Sequence, residues 1–102
     1  MSGNKRLIRT AFRTAVFARD SHKCRKCGNR GKLDAHHIID RNLLPNGGYT
    51  PMNGITLCEP CHQLAEVFHS TGTPAEGFSP ADLFALIGSD EQRARSAAAR
   101  LR

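Results

Sequence analysis

Two groups of side chains in this 102-residue chain have the types and spacing to do chemistry. The first is a doubled cysteine motif, Cys24-x-x-Cys27 and Cys58-x-x-Cys61, the pairs separated by thirty residues. A two-residue gap lets both thiolates of a knuckle reach one tetrahedral ion, and two knuckles complete four ligands. All four cysteines are used, so a zinc ion held this way has no open coordination position and serves structure. A disulfide or a redox pair is the competing reading, and the doubling of the motif weighs against it.

The second group lies between and beside the cysteines: His36, His37, Asn53, His62 and Glu66. His62 and Glu66 stand four apart on an expected helix, so they point to one side and could grip one ion. His36 and His37 are neighbours on an expected strand, where successive side chains face opposite ways, so they should do different jobs. Duller readings stand beside these. Either histidine of the pair could be a hydrogen-bonded core or surface residue, Asn53 before Gly54 could make a turn, and Glu66 could be a solvated helix residue. His69, seven residues after His62, reads as structural or DNA-facing. His22, in a basic loop, reads as touching phosphate or solvent.

The elements that must position these groups follow from periodicity and punctuation. Residues 5–19 read as a helix, with Ile8, Phe12, Ala15 and Val16 at helical spacing. Residues 33–39 read as a strand and 55–57 as a second one. Between them, residues 40–53 hold Pro45, Asn46, Gly47, Gly48 and Pro51 and read as a long loop; a loop of that length in a small domain is often functional. Glu59-Pro60 opens a helix running to about His69, with Leu64, Val67 and Phe68 facing inward. A linker over 70–77 leads to a short helix from Ser79-Pro80, with Leu83, Phe84 and Ile87 as its apolar face. Asp90 caps a last helix rich in Ala and Arg.

Composition narrows the class. Leu, Ile, Val and Phe number 21 and Trp is absent, so the core is thin and a metal staple is in keeping with it. The formal charge is +6, and eleven of the fifteen Lys and Arg lie within residues 1–41 against three acids. A block of this sign suits a polyanion, although a solvated surface explains charge alone equally well. Arg9, Arg13, Arg19, Lys23, Arg25, Lys26, Arg30, Lys32 and Arg41 surround the candidate site in sequence; some of them should hold a nucleic-acid backbone, and all but Arg19 are the candidate contacts. Few aromatics accompany them, which disfavours a base-stacking platform; no base-reading module is evident, so contacts should be mainly to the backbone, with weak sequence specificity. No stretch is apolar enough to span a membrane, and no secretory h-region follows the first basic residues. A reducing, cytoplasmic setting is expected, where paired cysteines hold metal.

AHHII, a Gly-containing loop, the Asn of MNGITLC and then CEPCH resemble the His-Asn-His signature of HNH endonucleases, in the zinc-knuckle form common among phage and bacterial members. The resemblance covers about residues 6–70. It implies an α+β fold, a small ββα-metal (His-Me finger) core with a four-cysteine zinc site, an N-terminal helix and C-terminal helices, in a single domain over 1–102 with a helical extension over about 79–102. It implies metal-dependent hydrolysis of DNA phosphodiester bonds, leaving 5′-phosphate and 3′-hydroxyl ends. Residue by residue, His36 matches a metal-ligand position, His37 the general base, Asn53 the residue that braces the loop and orients the base, and His62 a second ligand. Glu66 occupies a place where some relatives carry a further ligand. The ion would be Mg²⁺, Mn²⁺, Ni²⁺ or Zn²⁺, nitrogen donors favouring the transition metals. A bacterial or phage-infected cell, with phage packaging beside a terminase partner, is the expected setting by analogy with such small nucleases. The alternative is a non-catalytic zinc-stapled module that binds nucleic acid, or an adaptor that recruits protein; both account for the cysteines, and neither accounts for the order of His36, His37, Asn53 and His62.

Overall fold

The computed structural model describes residues 4–101, so the outermost residues of the expected 1–102 domain, and the last residue of the Arg-rich helix, lie outside the described residues. In chain order the elements are α1 (Asn4–Arg19), β1 (Leu33–His37), β2 (Gly54–Cys58), α2 (Glu59–Thr71), α3 (Pro80–Leu86) and α4 (Glu91–Ala99). The two strands pair antiparallel, with His36 opposite Ile55 and His37 opposite Gly54. The α+β class expected from the sequence is what the chain adopts.

Strand alternation sorts the molecule into two sides. Thr56 and Gly54 of β2 face α1: the Thr56 hydroxyl donates to the Val16 carbonyl at 3.4 Å, and Phe12 and Val16 are the buried residues of that helix. Gly54 has to lack a side chain, because a Cβ there would lie 2.5 Å from Val16 Cγ2 and 2.7 Å from Phe12 Cζ. Ile55 and Leu57 point the other way, into a cluster with Ile38, Leu44, Ala65, Phe78, Leu83, Phe84, Ala94 and Ala98. Cys24, Cys58 and Cys61 belong to the same cluster.

Several local expectations are corrected. β1 stops at His37; Ile38 keeps one bond of the ladder, its N–H donating to the carbonyl of its register partner Asn53 at 2.9 Å, and Ile38 and Ile39 are both buried. The loop over 40–53 makes short 3₁₀ turns at Arg41–Leu43 and Pro51–Asn53 and, between them, a tight turn at Pro45–Gly48 in which Asn46, Gly47 and Gly48 have positive φ. Ile8 is exposed, because only the second half of α1 meets the sheet, and Ala15 is exposed beside the buried Val16. Leu64 is exposed as well, and Ala65 takes the inward place on α2, with Val67 and Phe68 half-buried.

Asp20 locks α1 to the sheet. Its buried carboxylate accepts from Arg19 in a two-pronged pair at 2.8 Å and from the Thr56 N–H at 2.9 Å. Burial pushes this carboxyl up, but those hydrogen bonds outweigh it and hold it below its ordinary value. Arg19 also donates to the Pro51 and Gly54 carbonyls. That guanidinium is a tie between elements rather than a cation open to DNA.

Candidate metal and catalytic centre

The four cysteine sulfurs lie within 4.8 Å of one another, and Cys27 Sγ is 3.6 Å from Cys58 Sγ. They are thiols, not disulfides. The first knuckle sits in the turn before β1, and the second spans the end of β2 and the first turn of α2, where Pro60 occupies a position whose missing N–H costs nothing. Burial pushes the Cys24 thiol up, yet backbone N–H groups of Cys27, Cys58 and Lys26 aim at its sulfur and bring it down to about 7. Burial raises Cys58 and Cys61. Amides directed at sulfur favour the thiolate, the form that ligates, so this donor set could hold a structural metal.

A second group forms between β1 and α2. His36 lies on the face of β1 turned to α2; its ring centroid is 5.0 Å from that of His62 and 5.3 Å from that of His69. His36, His62 and Glu66 each offer one donor atom within 4.8 Å of the others. His36 Nδ1 is 3.1 Å from Glu66 Oε2, and His62 Nε2 is 3.2 Å from the same oxygen. A metal with bonds of about 2.0–2.1 Å to nitrogen and oxygen sets neighbouring donors roughly 3 Å apart, so these spacings fit one. The decisive atom is His36 Nδ1. It is buried, close to a carboxylate, and yet makes no aligned hydrogen bond. Burial, and then the neighbouring His62, His69 and His37 rings, hold His36 down to about 3, so the ring is neutral at pH 7 and presents an unused buried nitrogen.

His62 is oriented from behind. Its Nδ1 lies 3.3 Å from Asp34 Oδ2, which leaves Nε2 toward Glu66. Sequence reasoning misses Asp34, although its place two residues before His36 on a strand puts both side chains on one face. His69 also belongs here: its Nε2 donates to the His37 carbonyl at 3.0 Å, the structural half of the two readings given for it.

His37 faces the other way, as alternation requires. Its ring stacks on Phe12 at 4.5 Å and 23° and meets the edge of Tyr49 at 4.9 Å and 89°. Burial and then Arg41, against the opposing pull of Asp40, hold it down to about 4, and its Nε2 is buried with no hydrogen-bond partner. His36, His37, His62, Glu66 and His69 line one cleft of about 390 Å³, together with Asp40, Arg41 and Asn42. Asn53 is fully buried beneath it. Its Oδ1 accepts from the Ile39 N–H at 2.9 Å, and its Nδ2 donates to the Ile39 carbonyl at 3.1 Å and the Gly48 carbonyl at 3.3 Å. The side chain therefore ties the exit of β1 to the far end of the loop. Gly48 serves the same contact: its φ is +63°, and a Cβ would stand 2.9 Å from Asn53 Nδ2.

The basic residues divide. Arg9 and Arg41 lie beside the cleft and both donate to the Tyr49 phenol oxygen. Arg13 covers the Phe17 ring. Arg25 donates to the Leu86 carbonyl and lies 3.6 Å from Asp20, and Lys26 covers Phe78, so these two hold the C-terminal segment. Arg30 leans on the Ser21 carbonyl at 3.4 Å, and Lys23 and Lys32 are exposed on the knuckle side, as is His22. Tyr49 is another residue that sequence reasoning passes over; nothing in a Gly- and Pro-rich loop marks which side chain will face inward.

Residues 24–67 match the family model described as HNH endonuclease, which bears out the resemblance carried by the histidine, asparagine and cysteine motifs. The matched stretch contains both knuckles, the His36–His37 pair, Asn53, His62 and Glu66. No curated protein and no solved structure matches the chain.

Proposed function

We propose that this chain, an HNH-family segment carried between an arginine-rich helix and a helical extension, is a metal-dependent endonuclease that hydrolyses DNA phosphodiester bonds. One observation carries the reading: a buried, partnerless imidazole nitrogen on His36 faces Glu66 beside His62, with a second neutral imidazole, His37, in the same cleft. Core histidines satisfied by hydrogen bonds would leave no such atom.

His36, His62 and Glu66 would hold one divalent cation, Mg²⁺, Mn²⁺, Ni²⁺ or Zn²⁺, and Asp34 would fix the His62 ring. Such an ion, when bound, supplies charge stabilisation to phosphoryl oxygens and to a departing 3′ oxygen. His37 is neutral at pH 7 and accepts the proton of the attacking water; the negative phosphate arriving beside it raises its proton affinity from the low value that burial imposes. Phe12 and Tyr49 hold the ring flat and square, and Asn53 braces the loop that carries Tyr49. Cys24, Cys27, Cys58 and Cys61 bind a structural zinc that brings β1 and α2 together. The exposed cations beside the cleft take the DNA backbone. With so few base-reading groups, the cutting site would be chosen by a partner, and the packaging machinery of a phage, with its terminase, is the setting we propose.

Supercoiled plasmid incubated with the protein and Mg²⁺, Mn²⁺ or Ni²⁺ tests this. Nicking is expected with metal and not with EDTA, and His37→Ala should slow it by about 10²–10⁴-fold while leaving the fold and the metal content unchanged. Binding with no cleavage under any ion would sink the enzyme and leave the non-catalytic zinc module.

A further inference from the structure

Beside the catalytic cleft runs a larger groove of about 680 Å³. It lies between the N-terminal half of α1 and the 41–49 loop, and the two depressions share Arg41 and Asn42 as a common wall. Lys5, Arg9 and Arg41 give it charge, and among the described residues no carboxylate lines it. Among the described residues neither Arg9 nor Arg41 is paired with an acid. Their guanidiniums converge instead on one oxygen: Arg9 Nε donates to the Tyr49 phenol at 3.4 Å and Arg41 Nη1 at 3.0 Å. Two cations gathered on a neutral oxygen repel each other, and an anion seated between them removes that repulsion. The phenol still has its own O–H to give, and its ring edge rests on His37.

We propose that Arg9, Tyr49 and Arg41 seat a phosphodiester group of the cut strand next to the scissile one, so that the strand leaves the catalytic cleft through this groove. The proposal rests on the nuclease reading above and says which of the many cations hold the substrate and where. Guanidinium forks suit phosphate oxygens, the phenol adds a third donor, and Ile8 and Leu101 supply apolar wall for sugar and base. Tyr49 touches both the anion seat and the His37 ring, which makes it a positioning residue: a phosphate in the groove steadies the ring that takes the proton.

The test reads binding without cleavage. Protein carrying a single zinc per chain, in its four-sulfur site, is titrated onto a short labelled duplex with no free divalent cation, over a range of salt. Arg9→Gln and Arg41→Gln are each expected to weaken binding about tenfold and to flatten the slope of log K against log salt by about 0.9, whereas Arg93→Gln should change neither. Tyr49→Phe, which keeps the ring, should weaken binding about threefold and raise KM more than it lowers kcat. Substrates bearing one uncharged methylphosphonate supply the ligand side of the cycle: at one position beside the cut the wild type should lose affinity and Arg9→Gln should lose no more. Wild-type affinity and slope in both Arg variants, or equal methylphosphonate losses in wild type and Arg9→Gln at every position, would overturn the proposal. A protein that binds through these residues but never cuts removes the nuclease reading and the scissile neighbour with it, and leaves the phosphate seat. One that cuts while the Arg variants bind like wild type removes this proposal alone.

Discussion

Asp34 and His36 leave the same face of β1, and between them they meet both ends of the α2 pair: Asp34 touches His62 Nδ1, and His36 faces Glu66. A carboxylate behind a ligating imidazole fixes the ring and its tautomer and strengthens the donor on the far side. Asp34→Asn is therefore expected to lower metal affinity at the proposed His36–His62–Glu66 site by about 10–100-fold, with the four-sulfur site unaffected. Calorimetric titration of the zinc-loaded protein with Ni²⁺ measures it, and unchanged affinity would remove Asp34 from the site. Glu66 bears on two imidazoles at once, through a single oxygen, so the choice between solvated residue and ligand comes down to whether a cation sits among the three.

At the scale of elements, the C-terminal helices work as a buttress for the loop between the strands. Asn46 Nδ2 donates to the Ala98 carbonyl at 2.9 Å and the Leu101 carbonyl at 3.1 Å, closing the open end of α4. Ser89 donates to the Met52 carbonyl at 3.0 Å. Ala94 and Ala98 are completely buried, small enough to let α4 lie close on the loop. The extension outside the family match thus holds the segment that carries Tyr49 and Asn53. Asn46 has a φ of +54°, a left-handed conformation that Asn tolerates and Gly adopts freely. Asn46→Gly separates the two roles of this residue, keeping the backbone and losing the cap. It is expected to cost about 1–2 kcal/mol in chemical denaturation and to speed amide exchange over 40–53 more than over α1. A variant as stable as wild type would show that the loop stands without the buttress.

At the scale of the whole molecule, the sulfur cluster is part of the core. Three of the four cysteines lie in the main apolar cluster, and the largest buried residues there are a few Ile, Leu and Phe side chains. Structural zinc sites in small domains contribute about 10–16 kcal/mol, comparable to or more than the ~5–15 kcal/mol net stability of a domain. We expect one tightly bound zinc per chain, released by thiol modification, and loss of cooperative melting in Cys58→Ser or in strong chelator. Cooperative melting that persists at the same Tm without zinc would show that the apolar core suffices. Loss of the fold would also scatter the second site, because His62 follows Cys61 directly and His36 belongs to the strand paired with the one that ends at Cys58. Among the described residues no helix is long and apolar enough to cross a membrane.

The local code of the chain determined the two knuckles, the helix and strand order, the opposite facing of His36 and His37, and the common side of His62 and Glu66. All of these follow from spacing against periods of two or 3.6 residues, or from ligand pairs at fixed short separation. Tertiary structure decided the rest. It turned Ile8 and Leu64 outward, because a helix buries only the part of its stripe that a neighbour covers. It drew Arg19, Arg25 and Lys26 into contacts within the protein and left Arg9 and Arg41 together at a groove, although all five look alike in sequence. It placed Tyr49 against the His37 ring and Asn46 under α4, from a loop with no periodicity to read. Which of several like side chains meets a given partner depends on distances across the fold, and these are set by packing among residues far apart in the chain.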